Sequence, residues 1–161
     1  MRRAVILVTL LLLAVPPLAA QEWTAEQQEV VEWLNTFNKT AYAGSADEFL
    51  AWFHPQFSGW AFSEEAPVEM ATFADMVTGF FASVESIRFG TKPVSVQVLD
   101  DVAVAHTWYR QSITGGEAEG FYAGRWTIVL KKVDGDWKHL AWTWTEERVD
   151  PEKMKREKAE G

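Results

Sequence analysis

Residues 133–145, VDGDWKHLAWTWT, constrain the fold of this chain more than any other segment. Asp134-Gly135 is a tight-turn pair, because a two-residue hairpin turn needs positive φ and glycine adopts it without steric cost. Beyond the turn, Leu140, Trp142 and Trp144 fall on one side of the strand period and Ala141, Thr143 and Thr145 on the other, the alternation of a half-buried strand. Two tryptophans on one face of one strand require either a bulky core or an aromatic-lined pocket beside them. The chain has nine Trp and ten Phe but no cysteine, so ring packing has to stabilise it in place of disulfides, and thiol or zinc-thiolate chemistry is excluded.

The N-terminus points to export. Arg2 and Arg3 precede an apolar run over residues 4–15, then Pro16-Pro17 and Ala19-Ala20, the layout of a secretory signal peptide cleaved after Ala20. The run is shorter than the ~20 apolar residues that span a bilayer. The sequence therefore predicts a secreted or periplasmic protein, with no membrane association after cleavage. Its expected organisation is a signal peptide (1–20), one domain (21–149) and a charged tail (150–161) that lacks an apolar face and is read as disordered. A net charge of −8, more negative still once the leader arginines are removed, argues against nucleic acid as a partner.

Local signals outline the elements. Thr24-Ala25-Glu26-Gln27 is a capping box, and Val30, Val31, Leu34, Phe37 and Ala41 follow at helical spacing, predicting a helix to about Tyr42 that stops at Gly44. A second box, Ser45-Ala46-Asp47-Glu48, opens a short helix running to about Phe53 and ended by Pro55. Residues 57–60 read as a short strand or loop, and 63–67 as a polar loop whose Glu64-Glu65 pair is either solvated or a base at a pocket mouth. Met70, Phe73, Ala74, Val77, Phe80 and Phe81 give a third amphipathic helix over 68–83. Strand patterns follow at 84–89 and 94–99, with a bend or bulge at Gly90 and Pro93, then at 102–113 and 121–132 and after the 134–135 turn. Three helices followed by an antiparallel meander is an α+β pattern, with helices on one face of a curved sheet.

This order of elements, with FHPQFSGW at 53–60 and DGDWKHLAWTWT closing the meander, resembles the nuclear transport factor 2-like superfamily, and within it the SnoaL-like and ketosteroid-isomerase-like branch. The resemblance covers residues 24–147. It implies a cone, a curved antiparallel sheet wrapped around three helices with a pocket open at one end. It also implies pairing of subunits through the outer sheet face. Members include isomerases, hydrolases, cyclases, dehydratases and noncatalytic domains, so function has to be argued from the site. The isomerase tyrosine would fall near Phe37, the general-base aspartate near Trp60 or Ala61, and the second acid near Thr127. None of these can move or stabilise a proton as that chemistry requires. A histidine pair found on the closing strand of other members is replaced by Ala141 and Thr143.

Turn register suggests what lines the pocket. A two-residue turn at Asp134-Gly135 sets Arg125 opposite Trp144, Thr127 opposite Trp142 and Val129 opposite Leu140. A two-residue turn at Gly115-Gly116 sets His106 opposite Arg125, and cross-strand partners share a face. One face then holds His106, Trp108, Arg110, Arg125, Trp142 and Trp144, and the other Tyr109, Tyr122, Trp126, Ile128, Leu130 and His139. A bulge in either hairpin would exchange the sets. With the first face as pocket wall, the ligand-binding residues are Trp60, Trp108, Trp142, Trp144 and Phe37, and the ligand is a small apolar or aromatic molecule. The catalytic alternative is a lyase, isomerase or hydrolase with His106 or His54 as base and Arg125 as electrophilic partner. Against it stand plainer roles: His106 as a core histidine, Arg125 paired with Glu119 or Asp75, and His54 as a helix-end cap. His106 and His139 fall on opposite faces, so no metal site is expected, and no cofactor is implied. Tyr122, Trp126, Ile128 and Leu130 on the second face are too apolar to leave in water, which predicts a homodimer through it. Docking of a different protein there is the third reading.

Overall fold

The computed structural model describes residues 22–61 and 63–150. The expected leader, Phe62 and the tail beyond Asp150 lie outside the described residues. The elements are α1 (Ala25–Thr40), α2 (Ala46–Leu50), β1 (Phe53–Ala61), β2 (Val68–Glu69), α3 (Met70–Ser83), β3 (Ser86–Leu99), β4 (Val102–Thr114), β5 (Gly120–Val133) and β6 (Asp136–Arg148).

Both helix starts follow the capping chemistry in the sequence. Gln27 N donates to Thr24 Oγ1 at 3.3 Å while Thr24 N donates to Gln27 Oε1 at 3.0 Å, and Ser45 and Glu48 form the same reciprocal pair on α2. Gln27 does a second job. Its Nε2 donates to Val96 O at 2.8 Å, tying α1 to the edge strand β3. Two boundaries differ from expectation for tertiary reasons. Val68 and Glu69 pair with Gly59 and Ser58 as β2, so α3 begins only at Met70. Pro55 does not end a helix but lies inside β1.

The six strands form one sheet in the order β2-β1-β6-β5-β4-β3. It is not wholly antiparallel, because β1 runs parallel to β6. The chain between them, including α3 and the whole meander, provides the long crossover a parallel pair requires. The expected irregularity in β3 is a register shift between Pro93 and Ser95 within one continuous strand.

The core lies between the helices and one face of this sheet. Val30, Leu34 and Phe37 of α1, Phe49 of α2, and Phe73 and Val77 of α3 are buried against Ala103, Ala105, Tyr109, Trp126, Ile128, Leu130 and Trp142. At its centre sits His139, with no exposed surface and, among the described residues, no hydrogen-bond partner on either ring nitrogen. Rings surround it: Phe53 stacks at 4.7 Å, and Trp33, Phe37 and Trp142 meet it edge-on at 4.9, 4.8 and 5.1 Å between centroids. Burial pushes its pKa down from 6.5 to about 3.

A depressed native pKa means the unfolded chain binds a proton below pH 6.5 that the native chain refuses until about pH 3. The His139 contribution to stability is therefore complete above 6.5 and is lost as the pH falls through this window. Between pH 7.5 and 5.5, before carboxylates titrate, the loss should approach about 1.4 kcal/mol, the equivalent of one pKa unit. His139→Leu should abolish that part of the acid sensitivity. Urea unfolding at pH 7.5 and 5.5 tests this, and an equal loss in wild type and variant would contradict it.

Candidate functional site

The closing hairpin decides which side chains meet. Asp134 and Gly135 have φ of 52° and 93°, as the two-residue turn requires, and the expected pairing holds as far as Leu130 opposite His139. There β6 bulges at Leu140. Val129 then faces Ala141, Ile128 faces Trp142 and Trp126 faces Trp144. One extra residue moves both tryptophans to the other side of the sheet. The Gly115-Gly116 segment is a longer loop than two residues, so His106 faces Thr127 and Trp108 faces Arg125. That shift is by two residues and leaves the faces of β4 and β5 as expected.

The predicted pocket wall is thereby divided. Trp142 and Trp144 line the interior, whereas His106, Trp108, Arg110 and Arg125 point to the outer face. His106 and Arg125 are not in the cone, which removes the proposed His base and Arg partner from it. Phe37 is fully buried among rings and belongs to the core, not to a ligand wall. Trp60 stands on the outer face, 46% exposed, with its Nε1 donating to Glu64 O at 3.0 Å. His54 caps no helix; its Nδ1 accepts from Gln56 N at 3.0 Å within β1. Glu64 and Glu65 are both exposed. The residues expected to form an apolar outer face, Trp126, Ile128 and Leu130, are the core itself, so that reason for a homodimer disappears.

The interior cavity, about 330 Å³, opens between α3, the end of α1 and the inner face of β3 to β6. Its walls are rings, among them Phe49, Phe73, Phe81, Phe89, Trp126 and Trp142. Polar groups gather at one side. Tyr109 Oη lies 3.0 Å from Glu146 Oε2 and 3.2 Å from Thr145 O, donating toward these two acceptors, and Tyr122 Oη donates to Ala118 O at 2.8 Å. Burial, then the nearby Glu146 carboxylate, raises the pKa of both Tyr109 and Tyr42, so both phenols remain protonated donors. Gly124 makes room for this group: a Cβ there would lie 1.8 Å from Thr145 O and 2.9 Å from Tyr109 Cε1. Gly59 does the same for Trp142, whose indole nitrogen would be 2.9 Å from an added Cβ.

Tyr109 and Glu146 were missed as site residues because the pocket was assigned to the other face. The signal was present in the alternation, which puts Tyr109 with Thr107 on the side of Trp126, and puts Glu146 in step with Trp142 and Trp144.

The outer face carries a second concavity, a groove of about 690 Å³ that includes Trp60, His106, Trp108, Arg125, Thr127 and Thr143. His106 Nδ1 shares a 3.0 Å hydrogen bond with Thr127 Oγ1, and the Arg125 guanidinium carbon lies 5.9 Å from the centre of the Trp108 ring. Among the described residues, no three His, Asp or Glu side chains gather as a metal site would need.

Solved structures share this architecture at low identity. A nuclear transport factor 2-like superfamily protein from Salmonella enterica serovar Typhimurium LT2 superposes with a TM-score of 0.62 at 13% identity, covering 78% of this chain and 92% of that one. An NTF2-like protein from Cytophaga hutchinsonii ATCC 33406 gives 0.60 at 17% identity, covering 75% and 98%. A domain of unknown function with a cystatin-like fold from Nostoc punctiforme PCC 73102 gives 0.58 at 15%, covering 85% and 86%. These likenesses are of fold alone. No curated protein matches the chain. The SnoaL-like domain model matches residues 30–143, most of the chain and all but the ends of the cone, and the chain therefore belongs to the SnoaL-like domain family.

Proposed function

We propose that this chain is an exported SnoaL-like protein that binds a small, flat apolar or aromatic molecule inside its cone, without isomerase-type chemistry. The observation that carries this reading is the composition of the cavity: ring walls around about 330 Å³, with a few hydrogen-bonding groups among them at Tyr42, Tyr109, Gln111, Tyr122 and Glu146. Such a site fixes orientation with a few polar contacts and draws its affinity from buried apolar area. A ligand bearing one hydroxyl suits it, since Glu146 can accept and Tyr109 can turn to donate. The leader-like N-terminus supports an extracytoplasmic location.

The Tyr109–Glu146 contact favours one second reading, a lyase in which Glu146 takes the proton α to a substrate carbonyl, a phenol stabilises the enolate oxygen, and the enolate re-forms the carbonyl as it expels a β-hydroxyl, which leaves as water with the proton Glu146 took. The two readings separate on one variant. Glu146→Gln should leave 2-naphthol binding within a fewfold of wild type if the site only binds, whereas the lyase reading requires that change to abolish conversion, and conversion that survives it excludes Glu146 as the base.

Calorimetric titration with 2-naphthol should show saturable binding to the mature chain. Met76 is 49% exposed and lines the cavity, so Met76→Trp should obstruct the cone and weaken binding without lowering the melting temperature. Tyr109→Phe should weaken 2-naphthol by about 5–10-fold, the value of one hydrogen bond, and leave naphthalene unaffected. Absence of saturation with any uncharged aromatic probe would defeat the binding reading.

The Gly124 contact generates a separate expectation. Gly124→Ala should destabilise the fold by about 1–3 kcal/mol through overpacking against the β6 backbone and should reduce 2-naphthol affinity by displacing Tyr109. Unchanged urea midpoints would show that β5 and β6 can separate without penalty.

A further inference from the structure

We propose that the outer face of the sheet is a second binding site, one that takes a carboxylate borne on a six-membered ring, with Arg125 as its anchor. The register lays out the floor. Across β4, β5, β6 and β1, His106, Thr127, Thr143 and Trp60 form one row, and Lys92, Trp108, Arg125 and Thr145 form the next across β3 to β6. Trp60 and Trp108 bound the groove three strands apart, roughly 14 Å at ordinary strand spacing. They are 46% and 53% exposed, large apolar surfaces left in water on either side of a strip of hydroxyls and an imidazole. Two ring walls with a polar floor between them suit a flat ring carrying polar substituents.

The charge on this face specifies an anion. Arg88, Lys92, Arg110 and Arg125 all project outward on neighbouring rows, and among the described residues none of them is in an ion pair. Among the described residues Glu147, opposite Ala123, is the carboxylate on these rows, and together with Glu146 it borders a concavity that Arg125 and Trp108 also line. In a chain of net charge −8 the face is thus a local concentration of positive charge. Arg125 is the cation inside the groove. Its guanidinium carbon lies 5.9 Å from the centre of the Trp108 ring, within cation–π range, and a guanidinium can pair with both oxygens of a carboxylate. His106 Nδ1 is engaged by Thr127, which orients the ring and leaves Nε2 without a described partner beside the same groove.

The test titrates the mature chain, by calorimetry at low ionic strength, with sodium benzoate and sodium glucuronate, and with benzyl alcohol and glucose as their uncharged counterparts. At least one acid should saturate, and its counterpart should bind about tenfold more weakly. Which acid binds tells an aromatic from a sugar carboxylate. Arg125→Gln should reduce that affinity about tenfold or more with an unchanged melting temperature, Trp108→Leu should weaken it as well, and Lys39→Gln on α1 should leave it as in wild type. Failure of both acids to saturate, or equal binding by Arg125→Gln, overturns the proposal. So does sedimentation showing a dimer that protects Trp108 from quenching, which would assign the face to a second copy.

Discussion

The bulge at Leu140 is the constraint on which the arrangement of this molecule rests. Strand β6 is paired on both sides, antiparallel to β5 and parallel to β1, and both ladders slip at this residue. Just before it, His139 N donates to Trp52 O at 2.9 Å and the imidazole enters the core; just after it, Trp142 enters the same core from the next inward position. A regular strand would place one or the other outside. Exposing a tryptophan of that size forfeits about 4–6 kcal/mol of apolar burial, far more than a displaced ladder bond. The sheet accepts the irregularity because the rings on its inner face have nowhere else to pack.

The same packing sets the electrostatics of the interior. Rings exclude water, and exclusion penalises whichever form of a titratable group is charged. Burial therefore keeps His139 neutral and is the leading cause that keeps Tyr42 and Tyr109 protonated, reinforced in both phenols by the Glu146 carboxylate. Glu146, exposed at the side of the cavity, places its carboxylate next to the donors that the interior holds ready.

The two faces of the sheet consequently have opposite characters. Inside are the large rings, with Gly59 and Gly124 providing the gaps that Trp142 and Tyr109 require. Outside are the arginines of β3, β4 and β5 and the two half-exposed tryptophans. Because side chains alternate along every strand, neighbours such as Trp108 and Tyr109 line different concavities on opposite sides of one backbone.

Much of the fold could be read from local chemistry. Thr24 and Ser45 cap their helices through contacts three residues long, Asp134-Gly135 turns the chain through its own φ preferences, and the order of elements points to the SnoaL-like cone. Pairing of His106 and Arg125 on a common face also followed, since the longer loop after Thr114 shifted the register by an even number. The identity of that face did not follow. It depends on a single unpaired residue in β6, and nothing in KHLAW marks Leu140 as that residue. Its position is decided by contacts distant in sequence: Trp142 over Gly59, and His139 among Trp33, Phe37 and Phe53. A strand period of two makes every such decision binary, so the sequence determined which residues travel together and only the assembled core decided which of them face the cavity.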